Sequence, residues 1–205
     1  LPYTVRIRRG DTLEAADSSA VVADILDYGT DRQGPTGRIV EILGDPKSAT
    51  VQIRMAMLRF GLQGSFPAEV LAEAAALDAA HVLAGRLDLR HVAHVTIDGE
   101  TARDFDDAVC VERTEAGYTL YVSIADVSHY VPVGSAIDRE AYHRGTITYL
   151  PDRVLPMLPE RLSNDLCSLV PDQDRAAFTA ILSFDADGRR TGQRYAKSLI
   201  KSHRR

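Results

Sequence analysis

Residues 95–109 read VTIDGETARDFDDAV, and this stretch carries most of the chemical information in the chain. It places Asp98, Asp104, Asp106 and Asp107 within ten residues. The apolar segments on either side predict two short strands, so that Asp98 ends one strand and a loop returns the other three carboxylates beside it. Carboxylates held this close repel one another and raise each other's pKa, so the stretch predicts a site that needs a compensating positive charge.

A hard divalent cation is the usual compensation for such a cluster. Ligation by oxygen alone favours Mg²⁺ or Mn²⁺, and two such ions about 4 Å apart clamp the attacking and leaving oxygens of a phosphoryl centre. An acidic surface loop without chemistry is the plain alternative. A D-x-D-D general acid of the terpene-cyclase kind is another, but it needs a large helical barrel. An EF-hand is excluded, because its loop requires glycine and glutamate where this chain has Arg103 and Val109.

The composition is that of a globular protein with one large domain or two small ones. The 205 residues are 45% hydrophobic and 26% charged, and the net charge of -5 argues against an indiscriminate nucleic-acid coat. Two cysteines, Cys110 and Cys167, predict a reducing compartment, and no apolar run is long enough to span a bilayer. We therefore expect a cytoplasmic protein without a membrane partner. The first residues carry neither a methionine nor an apolar leader, so we expect a piece of a longer protein.

The first third of the chain predicts a small β-barrel. Short segments with alternating β-branched residues predict strands over 4–9, 20–28, 38–43 and 49–57, with Gly/Pro turns between them. Residues 65–80 predict a helix, with Ser65 near its N-cap and Pro67 and Glu69 in its first turn. We place the domain boundary at 84–90.

The rest of the chain alternates strands and helix. The nearly all-apolar segment 118–127 predicts a central strand buried on both faces. Ser135 and Asp138 form a capping-box-like helix start, and Gly145 suits its end. An Asp-Gly turn predicts a hairpin between 178–184 and 194–200. The fold class is α+β, a partial OB-type β-barrel followed by part of a mixed α/β domain.

Four phrases in series resemble the catalytic domain of the ribonuclease II / ribonuclease R exoribonucleases. They stand in that family's order and spacing, and read TIDGETARDFDDAV, YVSIADVSHYV, GSAIDREAYHRGTITYLP and VLPMLPERLSNDLCSL. Upstream, TGRIVEILGD and FPAEVLAEA are similar to the end of the second cold-shock domain and the lead-in to the catalytic domain. The resemblance implies an OB-type domain over 1–62, a connecting helix and linker over 63–90, and a catalytic domain over 91–205.

The resemblance implies processive, metal-dependent 3′→5′ hydrolysis of single-stranded RNA to nucleoside 5′-monophosphates, with Mg²⁺ or Mn²⁺ as cofactor. The four aspartates match the family's catalytic, metal-binding carboxylates. We expect Asp98 and Asp107 to bind Mg²⁺ directly, Asp106 to place the metal or the attacking water, and Asp104 to support them by orienting the ligands or by binding a second ion. Tyr149 matches the aromatic residue that packs against the terminal nucleotide; a ring there offers every base a stacking face.

Other polar residues in the matching phrases receive structural interpretations. Asp126, Asn164 and Asp165 orient loops around the site or make structural hydrogen bonds. His129 and His143 are expected as surface or packing histidines, and Cys167 as buried core. The phrases do not decide between the ribonuclease II and ribonuclease R subgroups.

The family's catalytic domain continues beyond the matched phrases with a phosphate-binding arginine motif. We therefore expect an incomplete or nicked chain, inactive alone, whose C-terminal part is a partner along with RNA. A non-catalytic RNA-binding module is the alternative function, and a metal-dependent phosphatase for small molecules is a third. The exoribonuclease is favoured, because a pure binder gains nothing from four carboxylates that repel phosphate.

Overall fold

The computed structural model describes residues 4–30, 33–78, 84–100 and 102–205. These residues fall into two compact units. The first unit is Leu1–Gly64 with Tyr149–Arg153, and the second is Ser65–Thr148 with Val154–Arg205. Residues 79 and 80, the end of the predicted helix, and residues 31 and 32, inside a predicted turn, lie outside the described part of the chain.

A three-stranded sheet and one helix form the first unit. Strand β3 lies in the middle, antiparallel to β2 and parallel to β1. Gly37 in β3 permits the close pairing with β2, because a Cβ there would lie 2.4 Å from the carbonyl oxygen of Asp24. The elements are β1 (Arg6–Ile7), β2 (Ala20–Asp27), β3 (Thr36–Gly44) and α1 (Ala49–Arg59).

The strand predicted over 49–57 is wrong, because this segment is helix α1. Its apolar residues alternate over a few positions, but eight of the eleven residues are the helix formers Ala, Gln, Arg, Met and Leu. Ser48 occupies the N-cap position after the Asp45–Ser48 turn. Val51 and Met57 are buried on the helix, whereas Met55, which a strand would have placed on the same face, is exposed. Length and composition decide for helix where alternation is short.

A closed five-stranded barrel forms the scaffold of the second unit. Neighbouring strands pair in the order β10-β7-β6-β5-β11, and β10 also pairs with β11, which closes the ring. All of these pairs are antiparallel except β5 with β11; the short β4 adds to β11 in parallel. The strands are β4 (Leu87–Asp88), β5 (His94–Val95), β6 (Asp107–Thr114), β7 (Gly117–Ala125), β10 (Asp174–Phe184) and β11 (Arg190–Arg204).

Strand β7 is central, but the prediction that both of its faces are buried is wrong. It lies between β6 and β10. Ser123 and Ala125 point into the barrel and are buried, whereas Ile124 between them is 47% exposed. Successive side chains of a strand point to opposite faces, so a barrel strand buries one set and leaves the other outside. The predicted hairpin is confirmed, with β10 and β11 joined by a turn in which the Asp185 N–H donates to the Arg189 carbonyl.

Helices α2 and α3 pack against each other beside the barrel, and both sit on its apolar core. The predicted capping-box-like start of α3 is present with one difference: the Asp138 N–H donates to Ser135 Oγ at 3.1 Å, but the Asp138 carboxylate accepts from the N–H of Gly134, one residue before the N-cap, at 2.8 Å. Gly145 ends α3 with a positive φ of 73°, as predicted. The N-cap of α2 is Pro67, two residues after the predicted Ser65. The helices are α2 (Ala68–Ala75) and α3 (Ala136–Arg144).

Two short strands and two single turns complete the described chain. The strands are β8 (Thr148–Tyr149) and β9 (Val154–Leu155), which pair with each other, and the turns are a 3-10 turn (Val127–His129) and a π-helical turn (Arg161–Leu166). None of the helices in the described ranges has the length and apolar character that crossing a membrane requires. The predicted cytoplasmic location stays a prediction.

Polar side chains inside the barrel are joined in one chain of hydrogen bonds. His94 Nε2 lies 2.9 Å from Ser123 Oγ, which lies 2.7 Å from Thr179 Oγ1, which in turn lies 2.6 Å from Ser198 Oγ. All four residues are fully buried. Burial lowers the pKa of His94, which keeps the ring neutral and able to accept a hydrogen bond. Because each buried group has a partner, this polar interior costs little stability.

A buried ion pair holds the segment before β4 against the barrel. Arg86 Nη2 lies 2.6 Å from Asp126 Oδ2, and each side chain is only 5% exposed. Arg86 Nη1 also donates to the carbonyls of Ala177 and Ser198, on β10 and β11. Burial acts to raise the pKa of Asp126, but the hydrogen bonds from Ser128 and Arg86 outweigh it and lower the pKa. Arg86 therefore joins its own segment to Asp126, to β10 and to β11.

Replacing Arg86 with methionine is expected to destabilise the protein strongly, because it leaves the Asp126 charge buried with only part of its partners. Breaking a buried pair from one side costs about 3–5 kcal/mol. Urea unfolding at pH 7, followed by circular dichroism, measures the change.

Arg90→Met is the matched control, because Arg90 pairs with Asp88 and Asp174 at the surface, where ion pairs contribute up to about 1 kcal/mol. The pKa of Asp126 is lowered by folding, so its contribution is present above the ordinary value of 3.8 and is lost as the pH falls below that value. The difference between wild type and Arg86→Met should therefore shrink in acid. Equal losses in the free energy of unfolding for Arg86→Met and Arg90→Met would contradict the stabilising role of the buried Arg86–Asp126 ion pair.

Candidate functional site

The loop between β5 and β6 carries all four predicted aspartates. Asp98 follows β5 closely, and Asp107 is the first residue of β6. Val95 of β5 pairs with Val109 of β6, so the two ends of the loop lie side by side. The structure thus brings the four carboxylates into one region, as the sequence predicted.

Hydrogen bonds to the backbone hold the returning arm of this loop. The buried Phe105 donates its N–H to Ser168 Oγ at 3.1 Å and accepts at its carbonyl from the Leu169 N–H at 2.9 Å. The carbonyl of Asp106 accepts from the Ala125 N–H at 2.9 Å. The backbone on both sides of the Asp106 peptide is therefore tied to two other segments, and the carboxylates project from a held chain.

A cation contacts both arms of the loop. The guanidinium of Arg205 lies over the ring of Phe105, with 4.7 Å between its central carbon and the ring centroid, and it donates to the carbonyl of Gly99. An arginine over an aromatic ring is attracted by the ring's negative face. Arg205 therefore links the arm that carries Asp98 to the arm that carries Asp104 and Asp106.

Partial burial and like charges both act on the carboxylates of the loop. The pKa of Asp106 is raised, first by the partial loss of hydration around its carboxyl and then by the charges of Asp104, Asp107 and Asp98. The side chain of Asp106 keeps contact with solvent. Its charge also reaches Cys167, whose pKa is raised to about 12 by burial and then by Asp106. The loop is thus a region of concentrated negative potential.

Asp98 supplies a more specific sign of a missing positive partner. Its Oδ2 atom is buried and accepts no hydrogen bond, whereas buried polar atoms in proteins nearly always have a partner. Among the described side chains, no three carboxylate, histidine or cysteine groups enclose a point as metal ligands do. As placed here, the described carboxylates do not form a closed ligand set. A hard cation fits this donor set, since it would satisfy Asp98 and relieve the repulsion around Asp106.

Tyr149, the predicted base-stacking residue, lies on β8 and is 72% exposed. A turn follows it, closed by the hydrogen bond from the Leu150 N–H to the carbonyl of Arg153. It belongs to the first compact unit, whereas the aspartates belong to the second. This exposure leaves the ring accessible to a stacking base. The role of Tyr149 in RNA binding stays a prediction.

The other polar residues of the matching phrases are structural, as expected. Asp126 belongs to the buried pair with Arg86. Asp165 pairs with Arg161 one helical turn away and lies 3.5 Å from Arg175, and Asn164 accepts from Ser163. His143 is exposed at the end of α3. Cys167 is buried core, and both cysteines are free thiols.

Sequence reasoning missed the residues that support the loop. Ser168 and Arg205 contact it directly, and the buried Arg175 donates to the carbonyl of Ser168 at 2.8 Å. Ser168 stands beside a core cysteine, where no sequence pattern distinguishes it. Arg205 lies about a hundred positions after the loop that it contacts. Ser168 does lie inside one of the quoted phrases, which is the one signal that could have drawn attention to it.

Comparison with known proteins gives two family matches. Residues 86–205 match the RNB domain, and residues 1–67 match the cold shock domain. Ribonuclease R of Acidithiobacillus ferrooxidans is 45% identical over 199 residues, covering 96% of this chain and 45% of the relative. Ribonuclease R of Thermotoga maritima is 45% identical over 197 residues, covering 93% of this chain and 28% of the relative.

A solved structure agrees over the whole chain. Mycoplasma genitalium RNase R in complex with ribose methylated single-stranded RNA superposes with a TM-score of 0.90 at 33% identity, covering all of this chain and 32% of that one. The chain thus spans less than half the length of each of these relatives.

Replacing Asp106 with asparagine is expected to raise the melting temperature of the protein in EDTA. The raised pKa of Asp106 means that its ionised form is disfavoured in the fold, so removing the charge relieves repulsion. For a solvent-accessible group, removing the charge should raise the free energy of unfolding by up to about 1 kcal/mol, equivalent to a rise in melting temperature of roughly 1–3 °C. If Mg²⁺ raises the melting temperature of the wild-type protein, that rise should be smaller in the variant.

Thermal unfolding with and without Mg²⁺ measures both effects. Asp187→Asn, the same chemical change in the exposed β10–β11 turn, is the control and should alter neither value. A lower melting temperature for Asp106→Asn in EDTA, with an unchanged response to Mg²⁺, would contradict the repulsion argument.

Proposed function

The chain belongs to the RNB domain family, and on that premise we propose that it carries the acidic centre of a metal-dependent 3′→5′ exoribonuclease that hydrolyses single-stranded RNA to nucleoside 5′-monophosphates. Since the chain spans 45% and 28% of two curated relatives, the activity is proposed for the full-length protein. The predicted status as an incomplete or nicked chain, inactive alone and completed by a C-terminal partner, stays a prediction.

One observation carries the proposal, namely the buried and unpaired Oδ2 of Asp98 in a loop with three more aspartates. A buried carboxylate oxygen without a partner costs free energy, and among the described side chains Asp98 Oδ2 is the carboxylate oxygen in this state, in addition to the hydroxyls of Thr36 and Thr96. Partial burial and then the like charges of Asp104, Asp107 and Asp98 raise the pKa of Asp106, and a bound cation would offset both effects. Mg²⁺ fits because the donors are all oxygens, and Mn²⁺ is the second choice.

The aspartates then take separate roles. Magnesium, when bound, supplies the positive charge that stabilises a phosphoryl centre as negative charge develops on it. Asp98, with its free buried oxygen, and Asp107, at the head of β6, are the proposed direct ligands. The solvent-accessible Asp106 positions the metal or orients the attacking water. Asp104, which precedes the held Phe105 peptide, supports the ligands or binds a second ion.

Single-stranded RNA is the proposed substrate. The Mycoplasma genitalium relative is described in complex with ribose methylated single-stranded RNA, and this chain superposes on it at 33% identity. Tyr149 offers an exposed ring, and stacking accepts any base, which suits degradation without sequence preference.

A non-catalytic RNA-binding module remains the alternative function, and the first unit matches the cold shock domain. The acidic loop argues against it, because a carboxylate cluster repels a phosphate backbone unless a cation is bound. The two functions differ in whether RNA is shortened in the presence of Mg²⁺. A phosphatase for small molecules would instead cleave a nucleotide monoester.

In the full-length protein, Asp107→Asn is expected to reduce the release of monophosphates by at least about 10²–10³-fold, because it removes a metal ligand from the phosphoryl site. RNA affinity should be unchanged or slightly higher, since one backbone-repelling charge is lost. A 5′-labelled single-stranded RNA, digested with Mg²⁺ and resolved on a gel, measures the rate and the direction, and filter binding measures affinity.

Asp187→Asn serves as the control, because it makes the same change in the hairpin turn. Duplex RNA and a nucleotide monoester, assayed alongside, separate the exoribonuclease from the alternatives. Near wild-type release of monophosphates by Asp107→Asn would show that the site assignment is wrong. Wild-type protein that binds RNA but never shortens it would establish the binding module.

Tyr149→Ala is expected to preserve the chemistry but to change the length of the final products. Loss of one base-stacking contact costs about 1–3 kcal/mol, which is roughly a 5- to 150-fold loss of affinity for short oligonucleotides. The product ladder and the affinity for a short RNA measure the two effects.

Tyr149→Phe keeps the ring and should behave as wild type. Tyr142→Ala removes another highly exposed tyrosine, on α3, and should change neither the ladder nor the affinity. If Tyr149→Ala also left both unchanged, Tyr149 would have no part in RNA binding.

A further inference from the structure

Ser168 occupies an unusual position behind the acidic loop. It follows the π-helical turn Arg161–Leu166, and its side chain is fully buried. Its hydroxyl makes two hydrogen bonds, accepting from the Phe105 N–H at 3.1 Å and donating to the Arg103 carbonyl at 3.0 Å. One oxygen atom therefore bridges the peptide groups on either side of Asp104.

This bridge constrains Asp104 more than a single hydrogen bond would. The Arg103 carbonyl precedes Asp104 and the Phe105 N–H follows it, so the hydroxyl restrains the backbone on both sides of the residue. The neighbouring Leu169 N–H holds the Phe105 carbonyl at 2.9 Å, which extends the restraint toward Asp106. The direction in which the two carboxylates leave the backbone is thereby set by residues 168 and 169.

Ser168 is itself held from behind. Arg175 Nε donates to the Ser168 carbonyl at 2.8 Å, and Arg175 Nη2 donates to Gln173 Oε1 at 2.6 Å. Arg175 is buried, with its charge facing Asp165 at 3.5 Å. The series runs from Arg175 to Ser168 to Phe105, and the hydrogen bonds of both steps are buried. A buried, satisfied network of this kind is rigid.

We propose that Ser168 is a positioning residue for the divalent cation: by bridging the peptides around Asp104, it holds Asp104 and the neighbouring Asp106 in place beside the proposed ligands Asp98 and Asp107. This proposal rests on the metal-dependent function proposed above. Groups that orient metal ligands from behind typically contribute 10- to 100-fold to metal affinity. Ser168 does not touch the cation or the RNA, so its effect is on the placement of the ligands.

Ser168→Ala in the full-length protein tests the proposal without any need for catalysis. Binding of Mn²⁺ in the absence of RNA, measured by calorimetry, should weaken by about 10- to 100-fold. Hydrogen exchange of a peptide spanning 102–106, measured by mass spectrometry, should be faster, because the Phe105 amide loses its acceptor. Mn²⁺ should slow that exchange in the wild type more than in the variant.

Ser198→Ala is the matched control. Ser198 is also a fully buried serine whose hydroxyl makes two hydrogen bonds, to Thr179 at 2.6 Å and to the Ala177 carbonyl at 3.2 Å, but neither partner belongs to the acidic loop. It should lower the melting temperature without weakening Mn²⁺ binding. Arg175→Lys is a second test variant, should Ser168→Ala fail to fold; it leaves the serine in place but removes its support, and should weaken Mn²⁺ binding in the same direction.

The outcomes separate this inference from the proposed function. Mn²⁺ affinity of Ser168→Ala within twofold of wild type, or an equal loss in Ser198→Ala, overturns the positioning role even if the enzyme degrades RNA. A second outcome combines two results: the wild-type protein binds Mn²⁺ but never shortens RNA, and Ser168→Ala binds Mn²⁺ more weakly. That outcome supports the positioning role and overturns the proposed exoribonuclease activity. A wild-type protein that binds no Mn²⁺ overturns both.

Discussion

Repulsion among four carboxylates is the constraint on which the rest of this structure depends. Asp98, Asp104, Asp106 and Asp107 lie together, and the pKa of Asp106 is raised by partial burial and then by the charges of the other three. Side chains that repel cannot hold their own loop together, so the loop must be held through its backbone. Ser168, Leu169 and Ala125 supply those hydrogen bonds, and Arg205 adds a cation across both arms.

The closed barrel makes this restraint possible. It sets β5 and β6 side by side, so that the loop begins and ends at neighbouring points, and it brings β11 alongside β5. Closure joins its five strands into one ring, and pairing along the long β10–β11 hairpin resists distortion. Inside the barrel, a chain of buried hydrogen bonds runs from His94 to Ser198. The buried Arg86–Asp126 ion pair holds the segment before β4 against the barrel. A rigid frame of this kind keeps like charges close at the cost of local stability, as functional sites commonly do.

Much of the local structure could be predicted, because it is encoded by neighbouring residues. The capping box of Ser135 and Asp138, the glycine end of α3 and the Asp-Gly hairpin each depend on contacts within a few positions. Helix α1 was missed because Val51, Ile53, Met55 and Met57 alternate like a strand, whereas burial follows a helix. The exposed outer face of β7 was missed because apolar content does not reveal how many sides of a strand are covered.

The sequence by itself determined the acidic loop, its chemistry and its family resemblance, since four aspartates in ten residues repel one another in any fold that brings them together. Only the tertiary structure decided which aspartate is deprived of a partner, and which residues hold the loop. Asp98 Oδ2 is buried without a hydrogen-bond partner. Ser168 contacts Phe105 from 63 positions away, and Arg205 contacts Gly99 from 106 positions away. Hydrogen bonds and burial act through space, so contacts between such distant positions exist only once the barrel has closed.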